Sequence, residues 1–356
     1  MQSSKNTFLS LVRLGIGHRA EALSGPVDWN EVQALAERQG LAAVLVDGIE
    51  QLPDNQRPPK DLLLQWIGEV LQNYEYRYEL YRRAIAEFAG FYGEHGIRMM
   101  ILKGYACSLD WTKPEHRPCG DIDIWLFGKQ KEADDLIRKE KNIKIDTSHH
   151  HHTVFYWRDF IVENHYDFVN IYSDSSSAKL EKVFKKLGMD DTHSVDVYGE
   201  RIYLPSANLH ALFLIRHMVS HFAAAEITLR QVLDWAFFVE KHTKEVDWVW
   251  LDGMLDKFYM KEFVSCINAI CVEDLGFPVD IFPAAQFIPE LKERVLEDIL
   301  EPAYRAVEPA SLLPRIVYKY RRWQGNAWKQ ELCYSESRWE MFRKGIWAKI
   351  LKPASI

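Results

Sequence analysis

The chain has 356 residues, 47% hydrophobic and 27% charged, with a net charge of −7. At roughly 150 residues per domain this is room for two or three domains, and the acidic balance excludes bulk binding of nucleic acid through a basic surface. Five cysteines without a CxxC pair exclude a disulfide framework or structural zinc cluster, so reduced thiols and a cytoplasmic protein are expected.

Residues 1 to about 52 carry helical spacing. Asp28 precedes WNEVQALAERQG, with Glu31 three residues on, which reads as an N-cap with a supporting acid. Gly40 reads as the stop. The segment PDNQRPPK (53–60) interrupts the pattern and predicts a turn. Residues 61–95 predict one long helix with a stripe of Leu64, Ile67, Leu71, Tyr74, Tyr78, Tyr81, Ile85 and Phe88, ending near Gly96.

The period then changes. IRMMIL (97–102) has strand length, and DIDIWLF (121–127) alternates as a half-buried strand does. KEADDLIRKEK (131–141) reads as a helix, and 149–157 and 159–172 read as strands. Helical spacing returns after Pro205. The expected architecture is therefore α+β: an N-terminal helical region (1–95), a mixed α/β core (96–204) and a C-terminal helical domain (205–356). YKYRRWQGNAWK (318–329) interleaves bases and aromatics; it reads as a snorkelling helix face, with single-stranded nucleic acid as the alternative. The N-terminus lacks a signal-peptide run and no apolar stretch reaches 18 residues, so no membrane partner is expected.

The chemistry concentrates in ILKGYACSLDWTKPEHRPCGDIDIWLF (101–127). Residues two apart on a strand share a face, roughly 6–7 Å apart, so Asp121 and Asp123 project together. With no lysine expected beside them they repel, and a hard cation such as magnesium relieves that repulsion. Two such ions about 3.5–4 Å apart suit an in-line phosphoryl displacement. A third carboxylate from a neighbouring strand is expected in IVENHYDFVN: Glu163 first, Asp167 in reserve, with His165 on the same face. Gly104 admits a close phosphate approach. Lys103 offers it a point charge, and Arg117 a fork.

This set resembles the uncharacterised nucleotidyltransferase family of the polymerase-β-like superfamily. Leu102-Lys103-Gly104, then Arg117, then Gly120-Asp121-Ile122-Asp123-Ile124 follow its order of LKG, spacer, R and DIDLLV. The histidines at 149–152 and Val162-Glu163-Asn164-His165-Tyr166 stand where that family has a histidine-rich strand and a VELHW-like strand. The resemblance covers about residues 25–240. It implies a polymerase-β-like mixed-sheet core and a catalytic, metal-binding trio of Asp121, Asp123 and Glu163. It also implies Mg2+, or Mn2+, as cofactor and NTP as co-substrate. The acceptor is left open among a small molecule, a protein and an RNA end. Nucleotide binding falls to Lys103, Gly104 and Arg117. The serine that follows the glycine in the wider superfamily is replaced by Tyr105, which leaves Ser108 as the next hydroxyl. This departure motivates an alternative, a non-catalytic nucleotide- or metal-binding protein on the same fold.

Among the other polar signals, His150, His152, His165 and Asp167 are candidates for substrate contact. Two imidazoles of the 149–152 run on one strand face would also suit a transition metal. His217 and His221, four apart, read as helix-interface histidines. Arg230 and Asp234, also four apart, read as a structural ion pair.

Overall fold

A computed structural model describes residues 3–20, 23–190, 192–283, 287–305, 307 and 309–351. Met1, Gln2 and the last residues of the basic C-terminal segment, from Lys352, lie outside the described residues. The chain opens with α1 (Ser4–Gly15), α2 (Trp29–Gln39) and α3 (Ala42–Glu50). The predicted cap of α2 forms: Asp28 accepts the amide of Glu31 at 3.1 Å, satisfying a donor the first turn leaves open. The Glu31 side chain does not close a capping box; it takes a bond from Ser4 on α1. Gly40 ends the helix in the left-handed region at φ 68°.

The predicted long helix is re-phased midway. It runs as α4 (Lys60–Val70), a π-helical stretch (Leu71–Tyr76) and α5 (Arg77–Glu94). The wider π turn rotates the buried face. Before it Trp66 and Val70 are buried, while Leu64 and Leu71 of the expected stripe are exposed; after it Tyr78, Tyr81, Ile85 and Phe88 are buried as expected.

The sheet strands are β1 (Met100–Ile101), β2 (Ile122–Trp125), β3 (His152–Trp157), β4 (Phe160–His165), β5 (Thr192–Val197) and β6 (Glu200–Pro205). Between them lie α6 (Tyr105–Ser108), α7 (Gln130–Lys141) and α8 (Ser177–Asp190). The six strands form one mixed sheet in the order β3-β4-β2-β1-β6-β5. β3–β4 and β5–β6 are antiparallel hairpins. β2 runs parallel to β4 and antiparallel to β1. The strands are shorter than their apolar patterns: 149–151 and 166–172 lie outside β3 and β4. β2 is not half-buried; all four of its residues are buried, because it is central and helices cover both faces. Ile122 and Ile124 enter a core with residues of α5 and α7, whereas Trp125 enters the other core.

After the sheet come α9 (Ala207–Ala224), α10 (Leu229–His242), α11 (Trp248–Lys257), α12 (Lys261–Ala269), α13 (Pro289–Leu300), α14 (Leu312–Gly325), α15 (Ala327–Cys333) and α16 (Arg338–Leu351). The larger core joins α1–α3 to α9, α10, α12 and α13, with Met100, Leu102 and Trp125 of the sheet. No helix among the described residues is long and apolar enough to cross a membrane, and all five cysteines are free. In the basic C-terminal segment, Lys329 is buried against Asp298 at 2.5 Å, and Arg338 lies 4.2 Å over the Trp323 ring. Lys329 thus departs from the snorkelling expectation: its ammonium is buried on Asp298 and the Ala225 carbonyl instead of reaching water.

Candidate active site

The site grows from strand register. Asp123 on β2 lies directly opposite Glu163 on the parallel neighbour β4, and His152 opposite His165 on the β3–β4 pair. Opposed residues project together from a sheet, so one face presents Asp123, Glu163, His165 and His152. Asp121 stands just before β2, its carbonyl held by the Tyr81 hydroxyl of α5 at 2.8 Å. Gly104 follows β1 at φ 56° and ψ −102°. A Cβ there would lie 2.5 Å from the Tyr81 hydroxyl, so glycine is required by backbone conformation and by close approach together.

These groups open onto a cleft of about 490 Å³ whose opposite wall is built by His217, His221 and Arg230 of α9 and α10. Lys103, Gly104, Arg117, Asp121, Asp123, His152, Glu163 and His165 of the predicted site residues line it. Ser108, His150 and Asp167 do not. Ser108 is buried, bonding the Tyr78 hydroxyl at 2.9 Å and the Tyr105 carbonyl at 2.7 Å, because α6 turns it inward. His150 packs on Tyr172 with ring centroids 4.8 Å apart. Asp167 lies beyond the end of β4, where alternation no longer governs direction, and pairs with Lys185.

Two further expectations are corrected. The aspartates are not free of lysine: Lys103 Nζ lies 2.9 Å from Asp123 Oδ1, so it sits on the carboxylate rather than waiting for a phosphate. Arg117 is committed elsewhere. Its Nε and Nη2 donate to Asp234 at 2.7 and 2.9 Å, and Trp111 Nε1 donates to the same carboxylate at 2.9 Å. Asp234 is thereby saturated by Arg117 and Trp111 instead of pairing with Arg230 along the helix. Arg230 is left half-buried in the cleft wall with Nε unpartnered. Burial, with Arg117 nearby, pushes its guanidinium pKa below the ordinary value.

Asp123 is 1% exposed. Burial pushes its carboxyl up, but Lys103 and His165 outweigh it and hold the group ionised, well below the usual range. His165 Nε2 lies 3.0 Å from Asp123 and 3.5 Å from Glu163; against the cost of burial these bonds raise the imidazole to about 9. Asp121 is raised, first by Asp123 and then by burial. Glu163 is lowered: burial opposes, and the His165 bond prevails. Lys103 is raised by Asp123 and Asp121 in spite of its own burial. The arrangement is a carboxylate pit that draws Lys103 and His165 onto itself.

The donor set also fits a divalent ion. Asp123, Glu163 and His165 offer ligand atoms within 4.8 Å of one another, and Asp123 Oδ2 is buried with no hydrogen-bond partner. Such an orphan is costly unless a cation meets it. The groups missed in sequence are Arg230, hidden by its apparent helical partner, Tyr81, read only as core, and His151. His151 lines the cleft in place of His150 because β3 starts only at His152, three residues later than the histidine run suggests, so strand alternation does not govern 149–151.

A crystal structure of an antigenic nucleotidyltransferase-like protein from Paracoccidioides brasiliensis is similar at 13% identity, over 45% of this chain and 75% of that one, with a TM-score of 0.33. No curated protein sequence matches the chain. The sequence pattern of the uncharacterised nucleotidyltransferases matches residues 25–276, from the approach to α2 to just beyond α12, and so the chain belongs to that family.

Proposed function

We propose that this protein transfers a nucleoside monophosphate from an NTP to an acceptor hydroxyl, with release of pyrophosphate and with magnesium as cofactor. The acceptor class stays open among small molecules, proteins and RNA ends. The observation that carries this reading is the Asp123–Glu163 register pair with its orphaned oxygen, facing unpaired Arg230 across one cleft. Magnesium, when bound, supplies charge neutralisation for the triphosphate and lowers the acceptor's pKa.

Asp121 and Asp123 would hold the ions, whose charge would offset the repulsion that raises the carboxyl of Asp121. Glu163, 22% exposed at its side chain, is the carboxylate accessible to an acceptor and takes part in removing its proton. With a cation on Asp123, Lys103, now 2.9 Å from that carboxylate, would be free to meet the phosphates. Arg230 receives them from the opposite wall, in the role the sequence suggested for Arg117. The half-buried wall and the floor of the sheet exclude water from the reacting phosphorus.

The test is pyrophosphate release from each of the four NTPs with magnesium across an acceptor panel. Wild type turns over; Asp123→Asn loses at least about 10³-fold, and Arg230→Ala raises KM for NTP about tenfold or more with a smaller effect on kcat. No pyrophosphate with any pair, and no nucleotide binding in the presence of magnesium, sinks the proposal. The Lys103–Asp123 pair and the inward turn of Ser108 favour a second reading, a binding protein without turnover. Tight NTP binding with no pyrophosphate would select it.

A further inference from the structure

Beside the carboxylates lies a cluster that nucleotidyl transfer does not use. His152 opens β3 and pairs in register with His165, which closes β4. His151 comes in from the preceding bend. Its carbonyl accepts the amides of Tyr166 and Asp167 at 2.8 and 3.0 Å, which ties the residue across the end of β4. The ring centroids of His151–His152, His152–His165 and His151–His165 are 4.3, 5.3 and 5.8 Å apart. Each of the three imidazoles has a ligand nitrogen within 4.8 Å of the others.

We propose that His151, His152 and His165 form a site for an imidazole-preferring transition-metal ion, of the zinc or cobalt class, next to the carboxylates that would hold magnesium and sharing His165 with that donor set. Two independent observations carry it beyond proximity. His152 is 9% exposed, and Nδ1 of both His151 and His152 is buried without a hydrogen-bond partner, a cost that metal ligation or a tautomer set by it removes. His165 Nδ1 lies 3.3 Å from the Asp167 carbonyl. That contact assigns the Nδ1 proton and turns Nε2 inward as the ligand, the usual outer support of a metal-bound imidazole.

Ligation would displace the Nε2 proton that His165 now shares with Asp123, and the three imidazole nitrogens then select against magnesium, which takes oxygen ligands and keeps its waters. Around one tetrahedral ion the ligand atoms stand roughly 3.3 Å apart, so the three nitrogens, now within 4.8 Å of one another, have to tighten around the ion. Three histidines leave a fourth position open, and Glu163 Oε1, 4.0 Å from His152 Nε2, is placed beside it. The site does not depend on the nucleotidyl-transfer reading, and its test keeps the two apart.

The full-length chain, stripped of metal, is titrated with Zn2+ alone, and Co2+ is used to read visible ligand-field bands. One Zn2+ per chain is expected. His151→Asn and His152→Asn each weaken it at least about tenfold and lose the bands. Asp121→Asn and the double variant His149→Ala/His150→Ala leave it unchanged. Far-UV spectra and melting check folding; should His152→Asn fail to fold, His151→Asn, at the half-buried bend, carries the test. Wild-type Zn2+ affinity in His151→Asn overturns the site. Equal weakening by Asp121→Asn also overturns it, placing the ion among the carboxylates and leaving the magnesium reading intact. Loss in the His149/His150 variant overturns it in favour of a plain histidine tract. Zn2+ binding as expected in a protein that releases no pyrophosphate supports this site and counts only against the transferase reading.

Discussion

At the scale of single residues the cations divide by what they are paired with. Arg117 and Arg230 both line the cleft, yet only Arg230 is available to a ligand. Arg117 is buried against Asp234, and removing one member of such a pair strands the other. Arg117→Ala is expected to cost about 3–5 kcal/mol in urea unfolding, so its effect appears in stability before it appears in KM. A KM effect at unchanged stability would restore Arg117 to phosphate binding. Glu181 offers a pH test outside the cleft. Burial raises its carboxyl from 4.5 to about 7 although it accepts the Val169 amide. The folded state therefore holds a proton that the unfolded state has released. Stability contributed by this group is full below the unfolded pKa and is lost as pH rises from 4.5 to about 7. Glu181→Gln is expected to flatten stability across that window and to gain up to about 3 kcal/mol at pH 8. Parallel pH–stability curves for wild type and variant would refute this.

At the scale of elements, close packing decides where the helices lie. α1 and α3 cross with almost no side chain between them: a Cβ on Gly48 would lie 2.0 Å from the Leu11 carbonyl oxygen, and one on Gly15 2.1 Å from that of Val44. Gly48→Ala forces the helices apart despite its better helix propensity, and the expected loss is about 1–3 kcal/mol, read by thermal melting. A neutral or stabilising result would mean the crossing is looser than described. The π-helical stretch between α4 and α5 has a comparable role. By re-phasing the helix it sends Tyr81 to the Asp121 carbonyl, linking the long helix to the start of the strand that lines the cleft.

For the whole molecule, the N-terminal helices are not an appendage. Phe8, Leu11, Val32 and Leu35 share one core with Leu212, Ile215, Leu233 and Phe263, and Gln39 bonds the Ile299 carbonyl at 2.8 Å and the Leu229 amide at 2.7 Å. A chain beginning at residue 53 is therefore expected to lose cooperative unfolding and bind dye as a molten state does. Retention of a sharp calorimetric transition would show that the sheet and the later helices form an independent unit.

Local chemistry made much of this protein legible in its sequence. Period and caps located α2, α7, α9 and α10, since helical faces and the Asp28 cap depend on neighbours a few residues away. The spacing of Asp123 and Glu163 on two strands placed them on one face, because alternation is a property of any strand, while Asp121 stands just before β2 and still lines the same cleft. Tertiary structure alone decided the partners. Lys103 on Asp123, Arg117 on Asp234, the release of Arg230 and the convergence of His151 with His165 each join residues more than ten positions apart or depend on such a joining. The physical reason is that charge pairing and strand register are settled by three-dimensional proximity and burial, where desolvation makes a buried ion take whichever counter-charge the fold brings within reach.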